Sequence, residues 1–131
     1  MNDVERKELI RAALDAQTRA FCPYSNFPVG AALRTADGKT YHGVNIENAS
    51  FGLTLCAERV AASAAVAAGR RDFTALAVAT RGGISPCGAC RQFLAEFNPN
   101  LPFIMIDSLR PDSIHESTLD VLLPTRFEGP I

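Results

Sequence analysis

The apolar segment Phe73–Thr80, with the sequence FTALAVAT, is the feature that most constrains how this chain can fold. Its apolar and β-branched residues follow one another without polar alternation, which is typical of a strand buried on both faces of a sheet. Alanine-rich Cys56–Ala68 precedes it and is predicted to be a helix that stops at Gly69. Another helix is predicted at about Pro86–Phe97, because the Ser-Pro pair at its start resembles an N-cap followed by proline at the first helical position.

The remaining segments complete an alternating order of helices and strands. Apolar residues near the amino terminus fall near one face of a helix, and an Asp-Gly pair between two strand-like segments is a hairpin signal. These elements are predicted as a helix at Val4–Phe21, strands at Val29–Thr35, Thr40–Asn45 and Phe103–Asp107, a tail strand near Ile114 and a helical turn near Leu119–Leu122. The order predicts one domain, residues 1–131, folded as a three-layer α/β/α sandwich around a mixed sheet of about five strands.

Charge and composition exclude several classes of protein. The formal net charge is −1 and no cluster of Lys and Arg occurs, whereas proteins that follow a phosphate backbone usually carry a basic stripe. We therefore expect a small neutral ligand and no nucleic-acid partner. The opening MNDVERKELI is charged, and no apolar run approaches the roughly 18 residues of a membrane span, so we expect no membrane partner and a cytoplasmic location. Four cysteines in such a chain are expected to bind metal or to carry out redox chemistry.

Two short cysteine motifs carry the chemistry, and both lie at predicted helix starts. Cys87 and Cys90 are three residues apart, so on a helix they share a face and could chelate one metal ion. Cys56 could supply a third sulfur, and three protein ligands with one open position are the arrangement of a catalytic zinc. Unpaired N–H groups in the first turns carry partial positive charge, which favours the thiolate form that binds metal.

Two charged residues, Glu58 and Arg59, stand two and three positions after Cys56. Glu58 could act as a base beside an activated water and then pass the proton to a ring nitrogen and a departing amine, although taken alone it could merely complement the helix dipole. Three thiolates on Zn²⁺ leave a net charge of −1, which makes the metal a poorer activator of water. Arg59 could offset this charge by donating a hydrogen bond to a sulfur; the alternative is an ordinary solvated helix cation.

The order of these motifs, with Cys-x-Glu before Pro-Cys-x-x-Cys, matches the signature of zinc-dependent nucleobase deaminases. At this point the chain resembles the cytidine deaminase family, specifically its small homotetrameric type, over almost its whole length. The segments that carry the resemblance are YSNFPVGAAL (24–33), NIENASFGLTLCAER (45–59), SPCGACRQFLAEF (85–97) and LLPTRF (122–127).

The resemblance implies a cytidine deaminase-like fold and one zinc ion per chain, held by Cys56, Cys87 and Cys90. It implies hydrolytic deamination of cytidine and 2′-deoxycytidine to uridine and 2′-deoxyuridine, as in pyrimidine salvage. Attack by zinc-activated water at C4 would release ammonia, with Glu58 as the proton shuttle. Arg59 would compensate the charge of the metal site.

The resemblance also assigns substrate contacts. Asn45 and Glu47 would hydrogen-bond the ribose hydroxyls, and in an extended segment two residues that are two apart point the same way. Phe27 would stack on the pyrimidine, and the backbone at Ala57 would contact the base. The working unit would be a homotetramer with shared active sites, in which a neighbouring subunit contributes Ala49, Phe51 and Phe127. Phe51 stands where the family commonly has tyrosine, so one peripheral polar contact is missing; Cys22 receives no role.

Other interpretations remain open at this stage. A relative could deaminate a modified cytosine nucleoside such as blasticidin S, although the NIENAS segment favours plain ribose recognition. A nucleic-acid editing deaminase is disfavoured by the short chain, the slightly negative charge and Cys56 in place of histidine. A structural zinc module would close the metal with a fourth ligand, for which Cys22 is the candidate. A thioredoxin-like protein would use Cys87 and Cys90 as a dithiol. The last two explain neither Glu58 beside Cys56 nor the Asn45 and Glu47 pair.

Overall fold

The helices and strands alternate along the chain as the sequence pattern indicates. The computed structural model describes residues 1–130. The helices are α1 (Asp3–Gln17), α2 (Ala57–Ala67), α3 (Gly88–Ala95) and α4 (Leu119–Leu122). The strands are β1 (Gly30–Thr35), β2 (Thr40–Val44), β3 (Phe73–Thr80), β4 (Pro102–Asp107) and β5 (Ile114–Thr118), and a 3₁₀ turn covers Phe51–Leu53.

One mixed sheet of five strands has the order β2-β1-β3-β4-β5. β3 and β4 run parallel, with α3 between them in the chain, and the other neighbouring strands are antiparallel. Alternate residues of the central strands point to opposite faces: Leu76 and Val78 pack with α2 and α3, while Ala77 and Ala79 pack with α1. The predicted three-layer sandwich around a mixed, five-stranded sheet is therefore confirmed.

Glycine allows the start of α2 to lie directly on the sheet. A Cβ atom at Gly43 in β2 would stand 2.0 Å from the carbonyl oxygen of Ala57 and 2.6 Å from the amide nitrogen of Ala61. No side chain fits at that separation, so this close approach of strand and helix requires glycine. This contact fixes the distance of the first turn of α2 from the sheet, and therefore the positions of Cys56 and Glu58.

Two of the helix boundaries that differ from the prediction have an identifiable cause. α1 ends at Gln17 and does not continue to Phe21, because the backbone of Phe21 bonds to the segment after β2: its N–H donates to Asn45 O (3.0 Å) and its carbonyl accepts from Glu47 N (2.8 Å). α3 begins at Gly88, two residues later than expected. Cys87 is extended there (φ −68°, ψ 166°) and takes the N-cap position, its Sγ accepting from Cys90 N.

Within the described residues, none of the helices has the length and apolar character needed to cross a membrane.

Candidate active site

The amino-terminal ends of α2 and α3 bring three cysteines together beside the carboxyl end of β3. Cys56 is the N-cap residue of α2, Cys87 is that of α3, and Cys90 lies in the first turn of α3. Their three Sγ atoms lie within 4.8 Å of one another, and those of Cys87 and Cys90 are 3.5 Å apart. The predicted cluster therefore forms, although Cys56 is 31 residues from Cys87 in the sequence.

The cluster fits a zinc ion. Thiolates about 2.3 Å from a tetrahedral zinc lie roughly 3.8 Å from one another, close to the spacing of these sulfurs. Among residues 1–130 the group has three members and does not include Cys22, so the fourth position is open to a small ligand. Three soft donors with one open position suit a catalytic zinc and do not suit the closed site of a structural zinc module.

One of the three sulfurs, that of Cys56, is prepared to carry negative charge. A hydrogen bond from Cys90 is the main cause that lowers the pKa of the Cys56 thiol to about 5, and a weaker contribution comes from a hydrogen bond from Arg59. The same hydrogen bond, together with burial, raises the pKa of Cys90, because a second negative charge beside the first is unfavourable. Arg59 Nη2 lies 3.4 Å from Cys56 Sγ, which is the contact that its predicted role in charge compensation requires. Arg59 Nε is buried and has no hydrogen-bond partner within residues 1–130.

Glu58 is a buried carboxyl beside the sulfur cluster. Its side chain lies at the start of α2, the residue is only 5% exposed, and it lines the same cavity as Cys56 and Cys87. Burial raises the pKa of Glu58 to about 7, and the charge of Cys56 acts in the same direction. A carboxyl group tuned in this way gains and loses a proton near neutral pH, as a general acid or base must.

The cavity above these residues has a volume of about 210 Å³ and mostly apolar walls. A few polar groups converge in it, a pattern typical of a small-molecule site. Ala57 is fully buried and forms part of the wall, and its contact with the base stays a prediction. The lining residues are Val29, Asn45, Thr54, Leu55, Cys56, Ala57, Glu58, Val78, Thr80, Ile84, Ser85 and Cys87.

Asn45 and Glu47 both bond to the segment that precedes β1. The amide of Asn45 donates to Phe27 O (2.9 Å) and accepts from Val29 N (2.9 Å). The Glu47 carboxylate accepts from Tyr24 N (2.9 Å), Ser25 N (3.1 Å) and the Ser25 hydroxyl (2.5 Å). These bonds, the one from the Ser25 hydroxyl above all, hold the pKa of Glu47 below its usual range. Both side chains thus organise residues 24–29, and their ribose contacts stay predictions.

Phe27 belongs to this segment and is half-buried. The guanidinium of Arg81 lies over its ring, 5.5 Å from the centroid, and also donates to Asn26 O. Phe27 is outside the set of residues, within 1–130, that form the cavity wall. Its stacking on a pyrimidine stays a prediction.

The three residues predicted to serve a neighbouring subunit are all exposed. Ala49 lies in the loop after β2, Phe51 begins the 3₁₀ turn with 77% exposure, and Phe127 lies in the tail with 73% exposure. Phe51 borders a second cleft, next to Glu47 and Tyr24, and Phe127 lies against Gln92 on α3. Within one described chain, the cavity is built without any of these three residues.

Sequence reasoning missed several residues that shape the site. Thr80 lines the cavity and its Oγ1 accepts from Ile84 N, which fixes the loop that leads to Cys87. Ser25 holds Glu47 in place, and it stands within the YSNFPVGAAL segment without a role assigned from sequence. The signal that could have indicated Thr80 is its place at the end of a buried strand, because polar groups at the carboxyl ends of strands often face ligands.

Comparison with known proteins agrees with this geometry. Residues 3–105 match the family model described as the cytidine and deoxycytidylate deaminase zinc-binding region. A cytidine deaminase from Sporosarcina psychrophila is 51% identical, over 95% of this chain and 91% of that protein. One from Halalkalibacterium halodurans is 48% identical, over 95% of each. The crystal structure of cytidine deaminase from Burkholderia pseudomallei superposes with a TM-score of 0.89 at 45% identity, covering 97% of this chain and all of that one.

Proposed function

Because this chain belongs to the cytidine and deoxycytidylate deaminase family, we propose that it hydrolyses cytidine and 2′-deoxycytidine to uridine and 2′-deoxyuridine. The observation that carries this proposal is a cluster of three thiols, two of which line one cavity together with the buried carboxyl of Glu58. The reaction releases ammonia and belongs to pyrimidine salvage. Residues 1–131 act as a single catalytic domain.

The metal site consists of Cys56, Cys87 and Cys90, with one zinc ion per chain. Zinc, when bound there, supplies the Lewis acid that activates water at neutral pH. Arg59 donates to Cys56 Sγ and offsets part of the negative charge of three thiolates, which preserves the ability of the metal to activate water.

Glu58 moves the protons of the reaction. It takes a proton from the attacking water as the bond from oxygen to C4 of the base forms. It delivers this proton to N3 of the ring. It then takes the remaining proton from the oxygen added at C4 and passes it to the amino group, which departs as ammonia as the bond from C4 to nitrogen breaks and the C4 carbonyl forms. Its burial and the resulting pKa of about 7 support this role, because a base near the working pH transfers protons most effectively.

The substrate is held by residues of the amino-terminal half. Asn45, at the cavity wall, and Glu47, in the adjoining cleft, bind the ribose hydroxyls; each retains hydrogen-bonding capacity beyond its contacts with residues 24–29. Phe27 stacks on the pyrimidine, and the backbone of Ala57 contacts the base. The buried start of α2 and the hydrogen-bonded segment ending at Val29 support this arrangement, because both surfaces are rigid.

The working unit is a homotetramer in which neighbouring subunits complete each site. The exposure of Phe51 and Phe127 supports this, since large apolar side chains on a surface usually have a partner to cover them. Ala49 belongs to the same exposed loop as Phe51. The cytoplasm remains the proposed location, and a free nucleoside the proposed ligand.

An absorbance assay of cytidine with the purified protein tests the function directly. We expect turnover that a strong chelator abolishes and added zinc restores. Free cytosine serves as the matched comparison, because a site built to bind hydroxyl groups disfavours a substrate that lacks them. Blasticidin S is the second comparison substrate. A higher kcat/KM for blasticidin S than for cytidine, or equal values for cytosine and cytidine, would overturn the proposed substrate.

A further inference from the structure

Arg91 joins two parts of the chain that are far apart in the sequence. It follows the zinc ligand Cys90 in α3 and is half-buried. Its Nε donates to Pro86 O (2.7 Å), and its Nη1 donates to Leu122 O (2.6 Å). One rigid guanidinium therefore holds the residue before Cys87 and the last residue of α4 at the same time.

The first of these bonds acts on the loop that carries Cys87. Near β3 this loop is fixed by Thr80 and Asp107, which accept from Ile84 N and Gly82 N respectively. At its far end the Pro86 carbonyl is held by Arg91. Because the peptide unit is planar, fixing this carbonyl also fixes the amide of Cys87, and so the direction in which the chain enters α3.

The second bond acts on the segment after α4. Leu123 packs against the core, but residues 124, 125, 127 and 128 are exposed, so packing contributes little to the order of the chain beyond Leu123. It is instead held to α3 by side-chain hydrogen bonds: Arg91 holds Leu122 O, and Gln92 Nε2 donates to Phe127 O (2.9 Å). The position of Phe127 therefore depends on the helix that carries Cys90.

We propose that Arg91 is a positioning residue that couples the zinc loop to the carboxyl-terminal segment, so that zinc binding and the order of residues 123–130 depend on each other. This inference rests on the proposed zinc site. Loss of zinc frees the loop of Cys87, weakens the hold of Arg91 on Pro86 and thereby loosens Leu122. Such coupling is reciprocal, so loss of the bond to Leu122 also weakens zinc binding.

Limited trypsin digestion of the wild-type protein tests the coupling without any substitution. Trypsin cleaves after Arg126, in the coupled segment, and after Arg71, in the loop between α2 and β3. We expect zinc removal to accelerate cleavage after Arg126 by roughly tenfold, the scale of a lost hydrogen bond from a charged donor. Cleavage after Arg71 is the internal reference and should change far less. Equal acceleration at both sites, or none after Arg126, would overturn the coupling.

Substitution of Arg91 tests its part in the coupling. In Arg91→Met, cleavage after Arg126 should be fast with and without zinc, and zinc release to a chelator should be roughly tenfold faster than in the wild type. Arg91→Lys keeps the charge but has all its donors on one atom, so it should restore one bond and give intermediate rates. Arg11→Met removes an exposed arginine from α1 and should behave as the wild type does.

Failure of this inference and failure of the proposed function have different signatures. A zinc-loaded wild-type protein whose Arg91→Met variant folds and releases zinc at the wild-type rate overturns the coupling alone. A purified wild-type protein that binds no zinc overturns the proposed function and the coupling with it. If Arg91→Met does not fold, the Arg91→Lys variant and the zinc dependence of wild-type cleavage still show whether the zinc loop and the carboxyl-terminal segment are coupled.

Discussion

Glu58 stands two residues from the proposed metal ligand Cys56, and its surroundings distinguish it from an ordinary carboxylate in a first helical turn. An exposed glutamate at that position would only complement the helix dipole. Glu58 is instead buried, faces the cavity shared with Cys56 and has a pKa raised to about 7. Burial of a carboxyl group is costly, and such groups concentrate at sites where a proton must be exchanged.

Substituting Glu58→Gln separates metal binding from proton transfer. The amide keeps the size of the side chain but cannot accept and return a proton, so we expect kcat to fall by roughly 10²–10⁴-fold or more. Zinc content, measured by mass spectrometry, and the unfolding midpoint should stay near the wild-type values. Near-normal kcat in a zinc-loaded Glu58→Gln protein would show that this residue serves only the helix.

The cysteines allow a matched comparison, because the fourth one lies outside the cluster. Cys56→Ala should lose zinc and activity together, whereas Cys22→Ala should keep both. The physical reason is that two remaining thiolates bind zinc far more weakly than three do. Zinc quantification and the cytidine assay check both variants. Full zinc occupancy in Cys56→Ala, or zinc loss in Cys22→Ala, would contradict the assignment of ligands.

At the scale of elements, the contact between β2 and α2 sets the position of the metal site. Gly43 lets the strand approach the helix so closely that a methyl group there would overlap the backbone at Ala57. The geometry of the site thus depends on Gly43, a residue of the neighbouring strand that is not itself one of the proposed metal ligands.

Gly43→Ala is expected to lower the free energy of unfolding by about 1–3 kcal/mol, because the backbone must move to admit the Cβ atom. The same movement displaces the first turn of α2, so the affinity for zinc should fall as well. Chemical denaturation and chelator competition measure the two effects. Gly52→Ala is the control, since the space around Gly52 is open. Equal stability of the two variants would contradict this account of the contact.

At the scale of the whole molecule, one chain leaves the large aromatic side chains of Phe51 and Phe127 exposed. A neighbouring subunit could contribute Phe127 and exclude water from the reacting base. Light scattering should therefore give a mass near four chains. A protein that is monomeric and fully active would exclude shared sites.

Mixing two impaired variants tests sharing directly. Phe127→Ala must first be shown to be strongly impaired. When it is mixed with Glu58→Gln under conditions of subunit exchange, some sites pair an intact Glu58 with a neighbour's intact Phe127, and activity should partly return. The cytidine assay before and after exchange gives the recovery. Each variant incubated alone is the control, and no recovery despite proven exchange would show that each chain builds its site alone.

Local patterns in the sequence determined the elements and the chemistry of the donor groups. The apolar run at Phe73–Thr80 predicted β3 with its observed bounds, and the spacing of Cys87 and Cys90 predicted two neighbouring sulfurs at the start of one helix, where Cys87 is the N-cap residue and Cys90 lies in the first turn. These predictions depend only on residues a few positions apart, whose geometry a helix or strand fixes by itself. The predicted end of α1 was wrong because it depends on a contact between distant residues: the backbone of Phe21 pairs with residues 45–47.

Only the tertiary structure decided which distant groups meet. The strand order β2-β1-β3-β4-β5 brings the starts of α2 and α3 to one point, and this places Cys56 beside Cys87 and buries Glu58. It also gives Asn45 and Glu47 their partners in residues 24–29 and gives Arg91 its two carbonyls. No local pattern encodes these contacts, because their free energy comes from packing and hydrogen bonds between elements far apart in the chain.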